Sequence, residues 1–121
     1  FGEYSWAVEI VSVYKCLCDV TRLRILNLLS RGPLCVCYLQ EILGEPQVKI
    51  SKHLSYLKQH GLIECERRAN WSIYRLPKKT NRLLSENLKC LQDLAGDEKP
   101  FKIDLRRLDK LDTSPACGVT K

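Results

Sequence analysis

Two short stretches of helical apolar spacing meet across Gly44-Glu45-Pro46. From about 35 to 43, Val36, Leu39, Ile42 and Leu43 share one side; from about 47 to 60, Ile50, Leu54 and Leu57 do. Two short helices joined by so tight a turn form a helix-turn-helix candidate. Gly61 follows where a left-handed C-terminal cap is wanted. The second helix is then the one that would lie in a DNA major groove. Its outward positions, Gln47, Lys49, Ser51, Lys52, His53 and Tyr56, include no acid.

The flanking segments complete a small domain. Residues 4–17 carry Ala7, Ile10, Val11, Tyr14 and Leu17 at helical spacing, which predicts a first helix with one apolar face. Asp19 or Thr21 can start a second, with Leu23, Leu26 and Leu29 inward and Arg22, Arg24 and Arg31 outward; Gly32-Pro33 stops it. After Gly61 the pattern changes. Leu62 to Arg68 and Trp71 to Leu76 read as two strands, with Ala69-Asn70 as the turn, where Asn tolerates positive φ. Trp71 and Tyr74 either anchor this hairpin to the core or stack on bases. A last helix is expected from about 80 to 95, with Leu84, Leu88, Leu91 and Ala95 in one stripe, widened by Leu83, Cys90 and Leu94. A stripe that broad can cover a core and also meet a second copy.

The expected class is therefore mainly α with a small β-hairpin, a winged helix-turn-helix, homodimeric because one such helix covers only a half-site. Residues 1–96 form the DNA-binding and dimerisation domain. Residues 97–121 form an amphipathic or flexible extension, in which Phe101, Leu105 and Leu108 recur at helical spacing. At 121 residues the chain suits one domain. It carries no methionine, so the native start is expected to be trimmed or to lie outside it.

Charge placement agrees with a nucleic-acid partner. Between Pro46 and Arg82 there are nine basic residues and two acidic ones, a net +7, while the rest holds eleven against twelve. The whole excess lies in the middle third, a face suited to neutralising phosphates. Arg67 and Arg68 on the hairpin would run along the neighbouring backbone or minor groove.

Seven cysteines are an odd count. Cys16 and Cys18, like Cys35 and Cys37, are separated by one residue and cannot easily pair with each other. No signal peptide is visible, since Glu3, Glu9, Lys15 and Asp19 interrupt the first twenty residues, and no run approaches a membrane span. A cytoplasmic protein with reduced thiols is expected. Thiolates are the soft ligands that select thiophilic ions. Cys35 and Cys37 open a helix, where the dipole eases thiolate formation. Their spacing is tight for structural zinc, which usually begins C-x₂₋₄-C. Cys16 and Cys18, roughly 15 Å away across the second helix, are small side chains that can either pack or form a separate site. Cys65 and Cys90 are expected to pack. Cys117 sits between Pro115 and Gly118 on a tail and could reach a site on either protomer.

Several of these segments together resemble the ArsR/SmtB repressors, closest to their arsenical branch. They are Asp19-Val20-Thr21-Arg22-Leu23-Arg24-Ile25-Leu26, Leu34-Cys35-Val36-Cys37, Gln47 through Leu54, Gly61-Leu62-Ile63 and Tyr74-Arg75-Leu76. The resemblance spans about residues 5–95. It implies a homodimeric winged-helix repressor on double-stranded operator DNA, released when a metal or metalloid binds. By position, Gln47, Lys49, Ser51, Lys52 and His53 fall on the DNA-reading helix, and Cys35 and Cys37 on the inducer site. Arsenic(III) or antimony(III), held by about three thiolates in a pyramid, is the implied inducer; cadmium and lead also favour thiolates. That branch often has a third cysteine where this chain has Gln40, and an Asp where it has Tyr38. The third ligand must then come from elsewhere, and Cys117 is the leading candidate. With no His in 80–95, an SmtB-type zinc site is not expected.

Two rivals stand beside this reading. One is a thiol redox switch on the same fold. The other is a winged helix that binds protein instead of DNA, against which the +7 segment counts. An enzyme is not expected: the chain has no Gly-rich phosphate loop and no Ser/His/Asp arrangement.

Overall fold

The computed structural model describes residues 5–111. Its elements run α1 (Ser5–Leu17), α2 (Val20–Leu29), β1 (Leu34–Cys35), α3 (Val36–Leu43), α4 (Gln47–Gln59), β2 (Glu64–Arg68), β3 (Trp71–Arg75), α5 (Arg82–Ala95) and α6 (Lys99–Lys110). The strands form one antiparallel sheet in the order β1-β3-β2. The fold is a winged helix-turn-helix, as the spacing predicts.

Helix α2 is the central rod. Asp19 caps its start, its side chain accepting the Arg22 N–H at 3.1 Å. Ile25, Leu26 and Leu28 are wholly buried, and they meet Leu39 and Ile42 of α3 and Ile50, Leu54 and Leu57 of α4. Each such side chain contributes about 1.5–3 kcal/mol by leaving water. Burial opposes ionisation of Asp19, but the Arg22 N–H and the nearby charges of His53 and Arg22 outweigh it and lower its pKa. A lowered folded-state pKa means the cap stabilises above the ordinary carboxylate range and fails as pH falls through the lowered value. Asp19→Ala is therefore expected to cost about 1 kcal/mol at neutral pH. Urea melts of the two proteins should converge as the pH falls below the ordinary carboxylate range.

Glycine sets the joint of the helix-turn-helix. Gly44 ends α3 in the left-handed region, at φ 66°, and its N–H returns to the Gln40 carbonyl. Pro46 then enters α4 with extended geometry. Gly61 takes φ 78° after α4.

Several details depart from or sharpen the sequence expectations, among them Cys18, which is exposed and does not pack as Cys16 does. Helix α1 turns Val13 and Cys16 inward, while Ile10, Val11 and Tyr14 are 38%, 50% and 47% exposed. Its apolar stripe therefore faces away from this chain's own core. Arg24 is not solvated: it pairs with the wholly buried Asp104 of α6 through two contacts of 2.8 Å. In the hairpin turn Ala69, not Asn70, takes positive φ, at 53°. The sheet has a third strand, β1, because Gly32-Pro33 releases Leu34 and Cys35 into extended pairing with Tyr74 and Ile73. Cys90 is exposed on α5 beside Leu94, which is 60% exposed.

Helix α5 starts on Asn81, whose side chain accepts the Leu84 N–H at 2.7 Å, and buries Leu84, Leu88 and Ala95. Within 97–121, Lys99–Lys110 form α6, which packs on α2 and α3. Cys117 lies outside the described residues. No helix among the described residues is long and apolar enough to cross a membrane.

Candidate nucleic-acid interface

The inward face of α4 fixes the outward one. With Ile50, Leu54 and Leu57 in the core, Gln47, Lys49 and Lys52 are exposed and Ser51 half-exposed. A shallow concavity of about 540 Å³ follows this surface, lined by Gln47, Val48, Ser51, Lys52, Ser55, Tyr56 and Gln59. Val48, Ser55 and Gln59 were missed as candidates. Val48 and Ser55 lie one helical turn either side of Ser51 and Lys52, and Gln59 one turn beyond Ser55, and this spacing is the signal that finds them. Lys49 reaches Glu45 at 3.2 Å, an exposed pair that opens at little cost.

His53 is placed differently from its neighbours. It is half-buried and turned toward α2, with Nδ1 3.3 Å from Arg22 Nη1 and Nε2 3.9 Å from the Asp19 carboxylate. Arg22, expected to point into solvent, is a hub. Its Nε donates to the Cys16 carbonyl and its Nη2 to the Lys15 carbonyl, both at 2.9 Å, while its guanidinium lies 4.5 Å over the Tyr56 ring. The end of α1 and the middle of α4 are thereby held on one side chain.

The wing carries less unpaired charge than its three arginines suggest. Arg67 and Arg68 of β2 stand opposite Ser72 and Trp71 of β3. Glu66 accepts from Arg68 Nε and Arg75 Nη1, each at 2.8 Å, and these bonds hold its carboxyl below the usual carboxylate range. Glu64 lies 3.7 Å from Arg75. The hairpin 64–75 nets only +1, so the basic face comes from α4 and from Lys78, Lys79 and Arg82. Trp71 is 37% exposed, whereas Tyr74 is half-buried beside Cys65. Lys52 is fully outward and stands clear of this carboxylate lattice. Lys52→Ala is expected to lower the slope of log affinity against log salt by about one for each phosphate that Lys52 neutralises, read by band shift over a salt series.

The thiols divide by position. Cys35 ends β1 and stands at the N-cap of α3; it is wholly buried. Cys37 lies in the first turn of α3 and is half-buried. Cys65 pairs with Tyr74, one position along β3 from the Ile73 that pairs with Cys35. Successive strand positions alternate faces, so Cys65 points to the other side of the sheet from Cys35. Burial pushes the Cys16 thiol up, opposed by the Arg22 charge, so it stays protonated as a packing residue should. Among the described residues no three His, Cys, Asp or Glu side chains gather into a metal-holding group.

A winged helix-turn-helix with a polar, basic outward helix defines a DNA-binding regulator. The family model described as "Bacterial regulatory protein, arsR family" matches residues 19–64, from the cap of α2 to the start of β2. The arsenic resistance transcriptional regulator ArsR2 of Pseudomonas putida is 45% identical over 104 residues, covering 85% of this chain and 89% of that one. Among solved structures, a homodimeric winged helix-turn-helix DNA-binding domain from Mycobacterium bovis superposes with a TM-score of 0.66 at 25% identity, covering 78% of this chain and 85% of that one. The AntR antimony-specific transcriptional repressor superposes at 0.62 with 30% identity, covering 76% and 84%. The chain belongs to the ArsR family: it is a DNA-binding transcriptional repressor and not an enzyme.

Proposed function

We propose that two copies of this chain bind a two-fold operator in the cytoplasm, and that arsenic(III) or antimony(III) releases them. The observation that carries this is the place of the Cys35–Cys37 pair. It sits where β1 passes into α3, joined on one side to the wing through Ile73 and on the other, through α3, to the Gly44 joint. Relatives with arsenic-resistance names and an antimony-specific structural neighbour support the choice of ion.

Gln47, Lys49, Ser51 and Lys52 face the DNA, with Arg67 and Arg68 on the flanking backbone; His53 positions α4 through Arg22 and Asp19. The dimer face is the exposed apolar side of α1, Ile10, Val11 and Tyr14, continued by Leu94 and Cys90 of the adjacent α5. Cys35 and Cys37 supply two soft thiolates. Cys117, between Pro115 and Gly118, is the candidate for the third thiolate. Because Cys35 is wholly buried and paired to β3, an ion that takes both thiols draws Cys35 from its packing. That disturbs the wing and α3 together. Linkage makes the effect reciprocal: bound operator weakens ion binding by the same factor.

Alkylation of the reduced chain, cysteine by cysteine and with or without arsenite, tests the ligand set. Protection is expected at Cys35, Cys37 and Cys117, with the exposed Cys18 and Cys90 still alkylated. Protection at Cys16 and Cys18 instead would move the site. Oxidation of Cys35 and Cys37 by peroxide that releases DNA without any ion would favour the redox reading.

A further inference from the structure

Helix α6 lies beyond the 19–64 segment matched by the family model, yet it reaches the joint of the helix-turn-helix. The end of α3 leaves carbonyls without helical partners. Gly44 N–H takes the Gln40 carbonyl. Two more are taken from outside the motif. Arg107 Nη1 of α6 donates to the Ile42 carbonyl at 2.8 Å, and Arg24 Nη2 of α2 donates to the Leu43 carbonyl at 3.3 Å. Two cations thus stand at the negative end of the α3 dipole. Arg24 is itself fixed by Asp104, which is wholly buried and grips it through both carboxylate oxygens. Asp104 and Arg107 are three residues apart, so they share a face of α6.

We propose that α6 positions the joint between α3 and α4, with Arg107 as the positioning residue, and so sets how much of a movement of α3 reaches the reading helix. The reasoning is mechanical. Leu43 and Gly44 are the last points of α3 before the turn, and Gly44 has a flexible left-handed backbone. A joint held only by that backbone would pivot. Charge-assisted bonds to two successive carbonyls, from helices anchored to each other by a buried ion pair, remove that freedom. The joint then moves with α3 as a unit, and a displacement begun at Cys35 and Cys37 is carried to α4.

The part that concerns the inducer rests on the function proposed above; the part that concerns DNA affinity does not. The test uses Arg107→Ala and Arg107→Lys in the full chain. Arg107 is largely exposed, so its loss leaves the core intact, which a thermal melt verifies. Affinity is read by fluorescence anisotropy on a duplex selected from a random pool by the unsubstituted chain, with and without arsenite. For Arg107→Ala, ion-free affinity is expected to fall about tenfold, and the ratio of affinities with and without arsenite to move toward one. Arg107→Lys, which keeps a cationic donor group, should recover part of both. Unchanged affinity and an unchanged ratio in Arg107→Ala would overturn the proposal and leave α6 a packing element. If arsenite does not release the unsubstituted chain while Arg107→Ala still weakens DNA binding, the positioning role stands and the inducer reading falls.

Discussion

Cys37→Ser is expected to leave operator binding intact and to remove the response to arsenite. In the unsubstituted chain, arsenite should weaken operator binding by about 5–150-fold, the ordinary span of a coupling between two sites. In Cys37→Ser that ratio should fall to about one, because serine offers a hard oxygen where a soft thiolate is required. Cys37 is the cleaner position for this substitution. It is half-buried in the first turn of α3, so a hydroxyl there still reaches water. Cys35 is wholly buried, and Cys35→Ser carries an added cost of about 1–3 kcal/mol for burying the hydroxyl. Both variants should lose release. If Cys37→Ser instead lost operator binding with an unchanged melt, the thiol would belong to the DNA interface and not to a sensor.

The largest effect on stability is expected at the buried Arg24–Asp104 pair. Asp104→Ala strips the partner from Arg24 and leaves a guanidinium that is only 15% exposed in its side chain. Breaking one side of a buried pair costs about 3–5 kcal/mol. The lower end is expected here, since Arg24 keeps its bond to the Leu43 carbonyl. At about 3 kcal/mol the melting temperature should drop by roughly 10 °C or more. Replacing both partners together, Arg24→Met with Asp104→Leu, should recover most of the loss, because it removes the unpaired charge as well as the pair. A melt unchanged by Asp104→Ala would mean that α6 does not dock through this contact in solution.

Local structure was legible where one residue type answers one geometric need. Gly61 takes the left-handed backbone expected of it, Gly44 stands in the expected turn, and Ile50, Leu54 and Leu57 are buried at helical spacing as expected. The failures have physical reasons. In α1 the period marks an apolar face correctly but cannot say what covers it. Ile10, Val11 and Tyr14 are exposed on the single chain, while Val13 and Cys16 meet the core. Strand β1 has two residues, too few to show any alternation, and it exists because β3 offers Tyr74 and Ile73 to pair with. Arg24 and Asp104 are eighty positions apart, so neither residue announces the other. Arg22 read as a solvent-facing arginine because its four partners come from two other helices.

The candidate site shows the same division. The outward face of α4 follows from its buried face, so Gln47, Lys49, Ser51 and Lys52 could be named from spacing alone. His53 could not be assigned that way, since its orientation depends on Asp19 and Arg22. The wing arginines were visible, but their sharing of Glu66 depends on cross-strand register. Cys35 and Cys37 were picked out by type and neighbourhood, while the burial of Cys35 against β3 belongs to the folded chain alone.

The central claim joins the Cys35–Cys37 pair to the reading helix, and one titration reaches it directly. Arsenite is added to the reduced chain already bound to its selected, fluorescently tagged duplex, and anisotropy is followed. The account predicts that anisotropy falls to the value of the duplex alone as Cys35 and Cys37 become protected from alkylation. Protection of both thiols at saturating arsenite with the DNA still fully bound would contradict it.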